Sequence, residues 1–226
     1  MFRHLDTSPR YLFFMLTLLL LLFLHALLPT SAHEGYFTVL NLGFLLIVLA
    51  TVFASSRKLS FSIIIVTLGI PMVTTRIVES LYPDELLFTV SNLLGCLFFT
   101  LLSVVILASI LKQQKVTANL IYGSISVYLL IGMSWTFIYM LIANIDPLAF
   151  SIAEVETQSR HEYFNTFSYY SYVVLSTLGF GDIHPINPLA RTITYLEALV
   201  GQLYLTILIA RFVGLHIAQA SADSES

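Results

Sequence analysis

Apolar residues come in long blocks along this chain, separated by short polar or charged stretches. A hydrocarbon core about 30 Å thick needs about 20 apolar residues in a helix. Five blocks of roughly that length stand at about 11–28, 36–54, 61–78, 86–111 and 120–145, and a sixth runs over about 189–217. The pattern predicts an all-α transmembrane fold with six spanning helices, joined by short linkers that carry most of the charge. One more apolar run, YFNTFSYYSYVVLS at 163–176, is too short to span. A run of that length reads as a re-entrant or buried helix. The stretch STLGFGDIHP at 176–185 follows it directly, small and flexible, with one acid. The order is long helix, acidic linker, half helix, glycine-bearing extended stretch, long helix.

Composition supports the bilayer as solvent. The chain has 226 residues, 58% hydrophobic and 10% charged, with mean hydropathy +0.89. A soluble domain carries about 25% charged residues. The single cysteine, Cys96, lies inside an apolar block. It allows no intrachain disulfide and no thiolate cluster, and it reads as a small core residue. The sequence TSA at 30–32 faintly resembles a signal-peptide cleavage site, but the first apolar run exceeds the 7–15 residues usual for a signal core. It is expected to stay as a helix. The tail AQASADSES is small and polar and is expected to be disordered.

Charge sets the orientation. With six alternating helices, Arg3, Arg10, Arg57, Lys58, Lys112, Lys115 and Arg211 share one side, against Arg76, Arg160 and Arg191 on the other. Both termini are therefore expected to be cytoplasmic, in a plasma (inner) membrane, with 146–188 facing outward. The outer side also holds Glu34, Glu79, Asp84, Glu85, Asp146, Glu154, Glu156, Glu162 and Asp182. The acidic linker either concentrates cations near the site or is simply solvated.

Non-helical backbone at membrane depth is tolerated only when buried in protein or lining water. Gly179 and Gly181 accept φ > 0, which other residues resist. Alternating the backbone hand can turn successive carbonyls the same way. Several such strands around an axis give stacked rings of oxygens that replace a cation's hydration shell. Thr177 adds a hydroxyl at the inner end.

The residues TLGFGD at 177–182 resemble the selectivity filter of potassium channels, usually written T-V-G-Y-G-D. The order of helix, pore helix, filter and helix is similar to that family's pore domain over about 118–217. The six blocks together resemble its voltage-gated-like and prokaryotic six-helix members. The resemblance implies that carbonyls of Thr177, Leu178, Gly179 and Phe180, with the Thr177 hydroxyl, line potassium sites. It implies that Gly181 closes the outer mouth and that Asp182 sits behind the filter, bonded to an aromatic on the pore helix. The family usually has two tryptophans there; this chain has Tyr169 and Tyr170, and Tyr169–Asp182 is the expected brace. Two ordinary packing tyrosines are the alternative. Leu178 replaces the usual valine and Phe180 the usual tyrosine, so the backbone ladder survives while a bracing hydroxyl is lost.

Asn187–Pro188 reads as N-cap and first residue of the last helix. Gly201 stands at the spacing of the family's hinge glycine, with close helix packing as the other reading. Glu197, in an apolar helix, is expected to bond pore-helix hydroxyls such as Ser171 or Tyr172 and support the filter. A histidine's charge can change between pH 5 and 8. Four protonated copies of His184 at the outer mouth would repel entering cations; a single exposed histidine would do little. The block at 86–111 has no arginine ladder, so residues 1–115 resemble a voltage sensor in topology without gating charge, and 116–226 form the pore domain. The expectation is a potassium-selective channel, weakly or not voltage-dependent. It is not an enzyme, works as a homotetramer, and has no cofactor beyond potassium ions in the filter. A non-selective cation channel of the same fold, a secondary transporter with broken helices and a non-conducting partner of other channels are the alternatives.

Overall fold

The computed structural model describes residues 10–27, 33–54, 59–152 and 163–224. Seven helices form in chain order: α1 (Arg10–Leu27), α2 (His33–Ala54), α3 (Leu59–Leu81), α4 (Glu85–Leu111), α5 (Ala118–Ile145), α6 (Tyr163–Leu175) and α7 (Pro188–Ser224). Two three-residue strands, β1 (Phe150–Ile152) and β2 (Ile183–Pro185), pair antiparallel with Ser151 opposite His184. Arg3, Arg57, Lys58, Arg160, the TSA stretch at 30–32 and the linker acids Glu154, Glu156 and Glu162 lie outside the described residues.

Local chemistry sets the helix starts. A helix leaves its first amides without partners. Asp84 accepts from the amides of Leu86 and Leu87 at 2.9 and 3.2 Å and so starts α4. Thr117 accepts from Leu120 at 3.2 Å at the start of α5. Asn187 accepts from the Ala190 amide at 2.7 Å, and Pro188 supplies a first residue that has no amide to satisfy.

Among the described residues, α4 (Glu85–Leu111), α5 (Ala118–Ile145) and the stretch Pro188–Ser221 of α7 are long and apolar enough to cross a membrane. The apolar parts found in α1 and α2 are shorter, Arg10–Leu24 and Val39–Thr51, and α3 carries Pro71, Arg76 and Glu79 in its 23 residues. The expected disordered tail is instead helical to Ser224, a continuation of α7.

Helix α5 is the central element, packed against α1, α4, α6 and α7. An aromatic cluster joins α2, α4 and α6 to it. Phe99 of α4 stacks on Phe137 of α5 at 5.5 Å, and Phe44 of α2 meets Phe99, Phe137 and Phe164 of α6 at 5.6–6.1 Å. Close approach requires Gly95 on α4, where a Cβ would come within 2.7 Å of the Phe137 ring.

Candidate functional site

The half helix α6 ends in a Schellman turn. Leu178 N–H donates to the Val173 carbonyl at 3.0 Å and Thr177 N–H to Val174 at 2.9 Å. That turn needs a left-handed residue at its turning point, usually glycine. Thr177 occupies it with φ 61°. A β-branched residue there is an outlier, at a cost on the order of 1–3 kcal/mol. The next two left-handed residues are Gly179 (φ 58°) and Gly181 (φ 82°). Residues 177, 179 and 181 thus share one backbone hand, and the strand alternates. Leu178 and Phe180 are 60% and 66% exposed, and nothing lies within 4 Å of a Cβ built on either glycine. Sequence reasoning assigned the left-handed positions to the glycines alone and missed Thr177; its place just past the helix end was the available signal.

The outer end of this strand is tied to the rest of the chain. Tyr169 donates its hydroxyl to Asp182 at 2.6 Å. That bond, helped by the Ile183 amide, holds the exposed Asp182 carboxyl below the usual carboxylate range. Beyond it, β2 pairs with β1, and Ile186 N–H donates to the Ala149 carbonyl at 2.8 Å. Asn187 donates to Asp146 at 2.7 Å, so this linker acid links the end of α5 to the start of α7. His184 lies exposed on the ribbon.

Behind the strand, α6 is pinned to α5 and α7. Tyr172 donates to the Leu129 carbonyl at 2.7 Å, and Tyr128 donates to the Leu175 carbonyl at 3.1 Å. Ser171 lies 2.8 Å from the Gly132 carbonyl and 2.5 Å from Glu197 Oε1. Tyr139 donates to the other carboxyl oxygen of Glu197, whose side chain is fully buried. Glu197 therefore bonds Ser171 but not Tyr172, and its second partner comes from α5. Tyr139 was absent from the sequence reading; it stands 58 residues away in an apolar helix and carried no local signal. Tyr170 meets Thr194 of α7 at 2.9 Å. Two glycines let the helices close: a Cβ at Gly132 would reach the Tyr172 ring at 2.4 Å, and one at Gly201 would reach the Leu175 carbonyl oxygen at 2.5 Å. Gly201 is thus a position of close packing, within a helix that runs unbroken from Pro188 to Ser224.

The arrangement offers backbone carbonyls on an exposed alternating strand, with hydrogen-bonded side chains held behind it. Residues 125–216 match a family model described as an ion channel. The match takes in most of α5, the β-ribbon, α6, the strand at 177–181 and most of α7. No curated protein and no solved structure matches the chain. The matched family is one of ion channels, not of enzymes. With three helices among the described residues long and apolar enough to cross a bilayer, the chain is an integral membrane protein whose residues 125–216 are similar to an ion-channel domain.

Proposed function

We propose that the protein is a potassium-selective channel. Four copies surround one axis, and ions pass down their gradient through the strand Thr177–Gly181. The observation that carries this reading is the alternation itself, with left-handed residues at 177, 179 and 181. Such a strand can turn successive carbonyls of Thr177, Leu178, Gly179 and Phe180 toward a dehydrated cation. One chain supplies one strand, which cannot encircle an ion, and this supports the homotetramer. Asp182, Tyr169 and Glu197 hold the strand from behind. The charge distribution favours a plasma (inner) membrane with both termini cytoplasmic. The absence of basic residues within Glu85–Leu111 favours weak voltage dependence or none.

The test is flux from purified protein in liposomes. Potassium flux is expected, with a reversal potential near that of potassium in mixed potassium and sodium. Reversal near the sodium–potassium midpoint would overturn selectivity in favour of a non-selective cation channel. Gly179→Ala places a side chain at φ 58° and is expected to reduce flux to that of empty liposomes; intact flux would overturn the filter assignment.

A further inference from the structure

Arg76 takes no part in the conducting strand, yet it is the most deeply placed charge of α3. It is 8% exposed, inside the aromatic cluster rather than at a water-facing edge. Its guanidinium lies 4.7 Å from the ring centre of Phe44, 5.1 Å from that of Phe137 and 5.9 Å from that of Phe164. It donates to Asn92 Oδ1 at 3.3 Å. Asn92 in turn donates to the Phe88 carbonyl at 2.8 Å, which fixes its amide. The five side chains come from five helices: α3, α2, α5, α6 and α4.

Burying a charge is costly unless partners compensate. Desolvated cation–π contacts supply about 2 kcal/mol or more each, against a burial cost of several kcal/mol for the ion. A methionine or leucine would fill the same space with no such cost, so packing alone does not account for an arginine. What the guanidinium adds is direction: it attracts ring faces from α2, α5 and α6 toward one point on α3. Phe164 is in the first turn of α6. The same helix carries the conducting strand at its other end, through the amides of Thr177 and Leu178. Between the two ends, Ser171 and Tyr172 are pinned to carbonyls of α5. Phe164 stands seven residues before Ser171, and Thr177 six after. At 1.5 Å per residue the two arms are roughly 10 and 9 Å. Tyr128, on the Leu175 carbonyl, also holds the strand end, so a shift at Phe164 reaches Thr177 as a change of load on these bonds.

We propose that Arg76 is a positioning residue that couples the first four helices to the filter, by gripping Phe164 and so setting the tilt of α6. This rests on reading residues 177–181 as the filter, and the test separates the two claims. Wild-type protein and the variants Arg76→Met, Arg76→Lys, Phe164→Leu and Arg76→Met/Phe164→Leu are purified into liposomes. Hydrogen–deuterium exchange is then followed by mass spectrometry, alongside single-channel recording in planar bilayers. In Arg76→Met, amides over α6 are expected to exchange about tenfold faster, with α7 unchanged. Arg76→Lys is expected to lie between Met and wild type. Open probability in Arg76→Met is expected to shift about tenfold at unchanged unitary conductance. The double variant should match the larger single effect, since both changes break one contact. Unaltered exchange over α6, or effects of the two single variants that simply multiply, would overturn the coupling whether or not the protein conducts. Faster exchange with unchanged open probability would overturn its link to the filter. Absence of wild-type conductance would count against the channel reading alone, and the exchange result would still decide the grip on α6.

Discussion

Helices α5 and α7 are both apolar enough to cross a membrane, but they meet their surroundings in opposite ways. In their spanning windows, 61% of α5 is buried within the chain and 6% of α7. The buried face of α5 holds small and polar groups, including Gly132, Ser134, Thr136 and Tyr139. Helix α7 buries far less of itself. Glu197 and Thr194 turn inward to Ser171, Tyr139 and Tyr170, while Leu199, Leu203, Ile207, Ile209 and Val213 are each more than half exposed. Apolar surface on this scale is covered by lipid, by further copies of the chain, or by both. The lesson is that apolarity alone does not identify the lining of a core in a membrane protein. On α7, Thr194 and Glu197 mark the intrachain face, and the exposed leucines, isoleucines and valine mark the face turned away.

The largest effect is expected from breaking that inward face. Glu197→Ala leaves the buried hydroxyls of Tyr139 and Ser171 without their carboxyl partner. Ser171 keeps the Gly132 carbonyl, while Tyr139 loses its acceptor, a cost of about 1–3 kcal/mol, so the variant should be destabilised by about 2–3 kcal/mol. Thermal unfolding in detergent measures it. Glu197→Gln keeps an acceptor for one hydroxyl and should lose less than half as much. Equal losses for Ala and Gln would mean that the negative charge, not the hydrogen-bonding frame, holds α6 to α7.

The next effect has the opposite sign and concerns the exposed strand that follows α6. Thr177 is held left-handed at the end of α6. Thr177→Gly removes the Cβ that makes this conformation unfavourable, and it should stabilise the fold by about 1 kcal/mol. The same change deletes the hydroxyl proposed for the innermost ion site. The expected outcome is a higher unfolding temperature together with weaker potassium protection against heat. If potassium protected the variant as well as it protects the wild type, the hydroxyl would have no part in ion binding.

How much of this could be read in advance depends on distance along the chain. The half helix was legible at 163–176 and is found at Tyr163–Leu175, because a short apolar run between a charged linker and a glycine-bearing stretch admits few other readings. The contact of Tyr169 with Asp182 spans only thirteen residues, and its motif is local. The start of α7 at Asn187–Pro188 is written in the chemistry of a single turn. Pairings that cross the fold left no such trace. Tyr139 is one aromatic among many in an apolar helix until folding brings Glu197 against it. Arg76 looked like a lone outer charge until three rings from three other helices surrounded it. The tail after Ile217 misled for a different reason: its small polar residues suit a disordered chain, yet α7 carries them on as helix to Ser224.

A smaller effect tests the outward face of α7. Single cysteines placed at the exposed positions Leu199, Val200, Leu203, Leu205, Ile207 and Ile209, in a Cys96→Ser background, should each change stability by no more than about 0.5 kcal/mol, as exposed substitutions do. Their value lies in reactivity. A charged, membrane-impermeant thiol reagent should modify positions recurring every three or four residues, the stripe that faces water on one side of a helix. Uniform protection would mean that lipid or protein covers the whole face and that α7 lines no aqueous path.

The smallest effect concerns the exposed end of the strand, and its sign follows from the Tyr169–Asp182 bond. That bond lowers the carboxyl's proton affinity, so it favours the folded outer mouth at every pH above the ordinary carboxylate range, about 4. Its contribution fades only as pH falls through the lowered value. Tyr169→Phe should therefore differ from wild type by a constant amount between pH 8 and 5, and the difference should shrink only in stronger acid. The rate at which current declines under steady conditions, recorded while external pH is stepped, gives the comparison. A gap between the two proteins that closes already between pH 7 and 5 would place the titrating group elsewhere.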